Sequence, residues 1–180
     1  ACARIYDLIG RWDDGLTLLR ESSPLIRWNG DEPRRARFQA VFGRYLARAG
    51  DIDAAEAVLR DGIATARKLG LEIVGAENRA SLGYLDLKRE RFSESLEELY
   101  TAEAVLRAAH RLPKWLQTVH DTVDTILHVP WGRSEGEQAA AAADRVTQLL
   151  RASDNVVERI PGFLPSHYLA CAWFEWASVE

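Results

Sequence analysis

Methionine is missing from all 180 residues, and cysteine nearly so, with only Cys2 and Cys171. Neither cysteine lies in CxxC or zinc-ligand spacing. That argues against a disulfide framework or a structural metal site and fits a reducing cytoplasm. No apolar run is long enough to cross a bilayer. No charged start followed by an apolar core marks a signal peptide. Positive charge is not in excess either: 23 Lys and Arg stand against 27 Asp and Glu, a net charge of −4, which argues against general nucleic-acid binding. Both phosphate-cradling glycine motifs, G-x-x-x-x-G-K-[ST] and G-x-G-x-x-G, are absent, so nucleotide binding has no basis. No stretch alternates polar and apolar residues as a half-buried strand does. The lack of methionine, with a final "ACAWFEWASVE" still in a helical pattern, leads us to expect a piece of a longer protein.

What is present is ordinary in bulk. With 47% hydrophobic and 28% charged residues, residues 1–180 read as one globular domain with a core. The organisation shows at "ARAGDIDAAEAVL", Ala47 to Leu59, where an alanine-rich helical pattern stops at Gly50-Asp51 and restarts within three residues. Asp53 opens a D-x-x-E capping pattern with Glu56. Asp13 and Ser93 lie forty residues to either side, and Ser134 forty-one beyond Ser93. Trp12, Ile52 and Phe92 precede these caps as hydrophobic staples would. Gly15, Ala55 and Ser95 are small; Leu19, Leu59 and Leu99 are all leucine; Gly10 and Gly50 share a turn column with Glu90. Five columns at one spacing make a repeat.

Each unit reads as two helices. First helices are expected at 33–49, 72–89 and 113–128, and their partners at 12–22, 52–69, 93–110 and 135–152. Ile52, Ala55, Leu59, Ile63 and Ala66 share one helical stripe. Gly70 fits a C′ stop and Pro113 a first helical turn. A last helix is expected from Ser166. "SSPLIRWNGDEP", "HVPWGRS" and "RIPGFLP" read as loops.

These residues resemble the tetratricopeptide repeat. The matches are Phe42-Gly43, Gly50-Asp51, Ala55 and Leu59 in one unit, and Leu82-Gly83, Phe92, Leu99 and Ala102 in the next. The likeness is strong over 36–110, partial over 1–22 and 113–152, and weak beyond 153. Gln39 and Arg79 stand where the family has an aromatic, and Leu46 and Asp86 at its later tyrosine position. The period is longer than usual, as in repeats of bacterial signalling ATPases and large transcription activators. The resemblance implies an all-α, right-handed α-solenoid of antiparallel helix pairs, with units near 1–22, 33–70, 71–110, 113–152 and a partial one at 164–180. It also implies that the first helix of each pair lines a concave face. That face would carry Arg37, Arg44 and Arg48, then Glu77, Tyr84 and Lys88, then Gln117, His120, Asp121, Asp124 and His128. Charged helix residues usually face water. Here they run from basic to acidic and histidine-rich, which fits holding a peptide or partner helix in one direction.

Sharper chemistry finds less support. His120, Asp124 and His128 share a helix face, but two full turns keep all three from one ion, so no metal is assigned. Gly132-Arg133-Ser134-Glu135-Gly136 matches G-x-S-x-G, with Asp154 and His167 following in triad order. That motif needs a strand entering a sharp turn, whereas a helix and Pro130-Trp131 precede it here. No catalytic residue is assigned. The basic "EPRRARF" start reads as a solvated helix end. Tyr168, Trp173, Phe174 and Trp176 make an aromatic end that packs on the preceding pair or docks another domain or copy. We therefore expect a cytoplasmic, non-enzymatic, cofactor-free module for protein–protein interaction or scaffolding, joined to other domains of a parent chain. The alternative is a partner- or ligand-sensing segment of a bacterial transcription regulator or signalling ATPase.

Overall fold

The helices begin at a fixed interval. The computed structural model describes residue 6 and residues 10–25, 30–130 and 136–157. Among them are seven α-helices, a short 3₁₀ turn at Ser23–Leu25 and no strand. The helices are α1 (Trp12–Ser22), α2 (Glu32–Arg48), α3 (Ile52–Lys68), α4 (Glu72–Lys88), α5 (Phe92–Ala108), α6 (Leu112–His128) and α7 (Gly136–Val157). From α2 to α6 every helix has 17 residues and starts twenty after the last. Among the described residues no helix is long and apolar enough to cross a membrane.

The turns set this interval. Residues 50, 70, 90 and 110 all take the left-handed conformation, with φ of 81° at Gly50, 66° at Gly70, 59° at Glu90 and 52° at His110. Each is followed by an amide that donates to a carbonyl five residues back: Asp51 to Leu46, Leu71 to Ala66, Arg91 to Asp86 and Arg111 to Leu106. The left-handed residue's own amide donates three residues back, to Ala47, Arg67, Leu87 and Arg107. This is the Schellman arrangement, which closes a helix and satisfies its last carbonyls. It ends α3 and α5 one or two residues before the expected 69 and 110. The series stops after α6, where Val129 is extended (φ −63°, ψ 124°), as a residue before proline tends to be.

These tight turns also correct the predicted caps. Arg11, Asp51 and Arg91 are the N-cap residues, and none makes a side-chain capping bond. Trp12, Ile52 and Phe92 are therefore first helical residues rather than staples, and Asp13, Asp53 and Ser93 lie inside the first turn. Asp13 and Asp53 there face the positive end of the helix dipole without bonding as caps. Among the described residues only Asp31 caps as a side chain, accepting from the Arg34 amide at 3.1 Å. Ser134 and the helix expected from Ser166 lie outside the described residues.

Two large apolar clusters and a small third one of Ala36, Ala66 and Val74 form the core. Of the large ones, one gathers Leu46, Leu59, Leu82 and Leu85, and the other Leu106, Trp115, Val119 and Leu149. Small residues bring helices close. A Cβ on Gly43 would overlap the Leu59 side chain, and one on Gly83 would lie 2.7 Å from Leu99 Cγ. Polar side chains stitch α4 to α2: Asn78 Nδ2 donates to the Ala36 carbonyl at 3.0 Å, and Ser81 Oγ to that of Ala40 at 2.9 Å. Both residues are wholly buried.

Candidate functional site

The face built by α2, α4 and α6 holds an ion pair that joins its outer two helices. The Arg44 guanidinium meets Asp121 in a bidentate fork, with Nη1–Oδ2 at 2.7 Å and Nη2–Oδ1 at 2.9 Å. Seventy-seven residues separate the partners. Against Arg44 lies Tyr84 of α4, whose ring centroid is 4.2 Å from the Arg44 Cζ and 5.2 Å from the Lys88 Nζ. The Asp121 side chain is only 2% exposed and that of Arg44 13%. Burial alone would push the Asp121 carboxyl up. The Arg44 charge, with hydrogen bonds from His120 and Arg44, outweighs it and holds the group below the ordinary aspartate range.

The other acids expected on this face are also engaged. Glu77 is buried and accepts from Arg111 Nη2 at 3.1 Å. Asp124 takes His128 Nδ1 at 3.1 Å, and the same nitrogen lies 2.7 Å from the Asp124 carbonyl. His120 Nδ1 lies 3.6 Å from Asp121. Gln117 is buried and accepts from Lys114 at 3.0 Å. Three predicted cations differ. Arg37, Arg48 and Lys88 are exposed, and none has a carboxylate at ion-pair distance among the described residues. The Cζ of Arg48 lies 3.4 Å from the Trp12 ring centroid. Part of the expected basic-to-acidic run is thus paired within the chain, through Arg44–Asp121 and Arg111–Glu77, while Arg37, Arg48 and Lys88 are left as exposed cations. Tyr168, Trp173, Phe174 and Trp176 lie outside the described residues.

Several buried or partly buried polar groups escape a reading of the sequence. Glu103 is 1% exposed; it accepts from Trp115 Nε1 at 2.9 Å and Arg145 Nη2 at 3.0 Å. Burial raises the Asp86 pKa above its ordinary value against the pull of Arg91, to which it is hydrogen-bonded. Glu56 is held below the ordinary range, first by its hydrogen bond from Arg60 and then by that from Arg89. The repeat contains a usable signal: Glu103 falls in the column of Ile63, and Asp86 in that of Leu46. A charged residue in an apolar column marks a buried group that must find partners.

A cleft of 290 Å³ opens between the start of α1 and the end of α2, lined by Trp12, Asp14, Tyr45 and Arg48 among others. Among the described residues, no three His, Cys, Asp or Glu side chains are grouped to hold a metal ion. Searches for a matching protein family, for similar curated proteins and for similar solved structures each found none.

Proposed function

We propose that this chain is a right-handed solenoid of antiparallel helix pairs, of tetratricopeptide type, that binds a partner protein or peptide on the face formed by α2, α4 and α6. Several contacts support the pairing. Gly43 lies against Leu59 while Ala36 clusters with Ala66, so positions in α3 fall as those in α2 rise. The bonds from Asn78 and Ser81 set α4 beside α2. The observation that carries the functional reading is the Arg44–Tyr84–Asp121 group. It draws one side chain from each of three helices into a single, largely buried group beneath this face, and exposed cations border it. A surface spanning successive helices suits an extended partner. The module acts by binding, without cofactor or catalysis.

The test is capture from the host's lysate, comparing the wild type with an Arg37→Glu, Lys88→Glu double variant. Both positions are exposed, so the variant folds, as circular dichroism will verify. We expect a partner held by the wild type to be lost from the variant. Equal recovery by both proteins refutes binding at this face.

A further inference from the structure

We infer that the cleft between the start of α1 and the end of α2 binds a small zwitterion, an α-amino acid with an apolar side chain, its ammonium on Asp13 and its carboxylate on Arg48. This site goes beyond the partner-binding reading above and does not depend on it.

The same joint recurs forty residues later, between the start of α3 and the end of α4, and there the chain closes it with its own side chain. Arg89 reaches Asp53 at 3.2 Å and is hydrogen-bonded to Glu56. At α1 and α2 the positions aligned with Arg89, Asp53 and Glu56 are Ala49, Asp13 and Leu16. The closing arginine is reduced to a methyl group, and one of its two acids is a leucine. What remains is the 290 Å³ cleft, which Ala49, Asp13 and Leu16 all line. Its volume lies near the lower limit of small-molecule pockets. Asp13 lacks the cation that its counterpart has, and it makes no hydrogen bond or ion pair among the described residues. An ammonium from outside would take the part that Arg89 plays on Asp53.

The opposite charge lines the same cleft. Arg48 has its Cζ 3.4 Å from the Trp12 ring centroid and no carboxylate at ion-pair distance among the described residues. The ring holds the guanidinium in place without cancelling its charge. Asp14 is already paired, with Arg11 at 2.7 Å. Asp13 and Arg48 therefore line one cleft as opposite charges that do not reach each other. A molecule carrying both charges satisfies both groups; a molecule with one leaves the other to water. Leu16 and Tyr45, both buried, add apolar wall to the cleft. That wall suits an apolar side chain rather than a third charge.

The test is a chemical-shift titration of the isotope-labelled whole chain with three compounds of one carbon skeleton. L-leucine carries both charges, isoamylamine lacks the carboxylate and isocaproate lacks the ammonium. Exposed charges bind weakly, so leucine is expected at a Kd of about 1 mM, moving the Trp12 indole signal, and each analogue about fivefold weaker. Asp13→Asn should weaken leucine about fivefold and leave isocaproate unchanged. Arg48→Gln should weaken leucine by a similar factor and leave isoamylamine unchanged. Ala49→Arg, which returns the closing arginine at an exposed position, should abolish leucine binding without lowering the unfolding midpoint. No saturable shift with leucine, equal affinity for the three compounds, or full leucine affinity in Asp13→Asn or Ala49→Arg overturns the inference. The double variant used for capture alters neither Asp13 nor Arg48, so the two readings fail separately.

Discussion

Segments 32–68 and 72–108 share one backbone plan and fill it differently. Both consist of two 17-residue helices around the same turn, and both bring a glycine of the first helix onto a leucine of the second. In the earlier segment the aligned positions are Phe38, Leu46, Gly50, Ala55 and Ile63. In the later they are Asn78, Asp86, Glu90, Ser95 and Glu103. Each polar replacement on the later helices has its own partner. Asn78 bonds Ala36, Asp86 bonds Arg91, Ser95 bonds the Gly83 carbonyl, and Glu103 bonds Trp115. The plan therefore does not need an apolar residue in each of these columns. It needs either an apolar residue or a polar one with a partner, and the partnering can be partial: Asn78 donates through Nδ2 while its buried Oδ1 has no hydrogen-bond partner among the described residues.

The largest effect should come from the ion pair that ties the two segments to α6. Arg44→Ala leaves the Asp121 carboxylate buried without its fork and should cost about 3–5 kcal/mol in urea unfolding. Arg44→Met combined with Asp121→Leu should recover most of that loss. Folding lowers the Asp121 pKa. Its stabilisation is thus complete above the ordinary aspartate range and is lost as pH falls through the lowered value. Asp121→Asn should flatten that acid limb of the stability profile; an unaltered limb would show that Asp121 does not titrate on unfolding.

A smaller effect tests whether the two glycine contacts are equivalent. Gly43→Ala and Gly83→Ala should each destabilise by about 1–3 kcal/mol, because the new methyl meets Leu59 or Leu99. Shortening the leucine should relieve the first more than the second, since a Cβ at residue 83 also lies 3.1 Å from the Ser95 carbonyl oxygen. Equal relief in thermal melts would mean that the Ser95 backbone yields.

The smallest effect concerns the turns. Glu90 holds a left-handed conformation that glycine holds at the aligned Gly50. Glu90→Gly should stabilise by about 0.5–1 kcal/mol, the relief of side-chain strain less the added freedom of the unfolded chain. A lower melting temperature would show that the Glu90 side chain contributes more than its strain costs.

The forty-residue columns make the helix starts legible in the sequence. Trp12, Ile52 and Phe92 are conspicuous, and each begins a helix. The caps were misread because Asp53 and Glu56 look like a reciprocal box. In the fold they lie on the surface of α3 and pair with Arg89. Arg44 and Asp121 were each legible as members of one face, but their union was not. A contact across 77 residues depends on how α2, α4 and α6 lean together, which helical periodicity does not encode. This is also why Arg44, an obvious choice for charge reversal, is unsuitable for testing binding: glutamate there would set two buried carboxylates against each other.

The turns recur every twenty residues, whereas the side-chain columns recur every forty. The main chain alone therefore has no way to tell an odd helix from an even one. Phase is carried by side chains, by which helix offers a glycine at 43 or 83 and which answers with a leucine at 59 or 99. Loss or duplication of forty residues keeps that phase, and every seam still fits. Loss of twenty leaves each turn intact yet sets like against like along the rest of the chain. Inheritance by pairs is thus written in the packing and not in the joints.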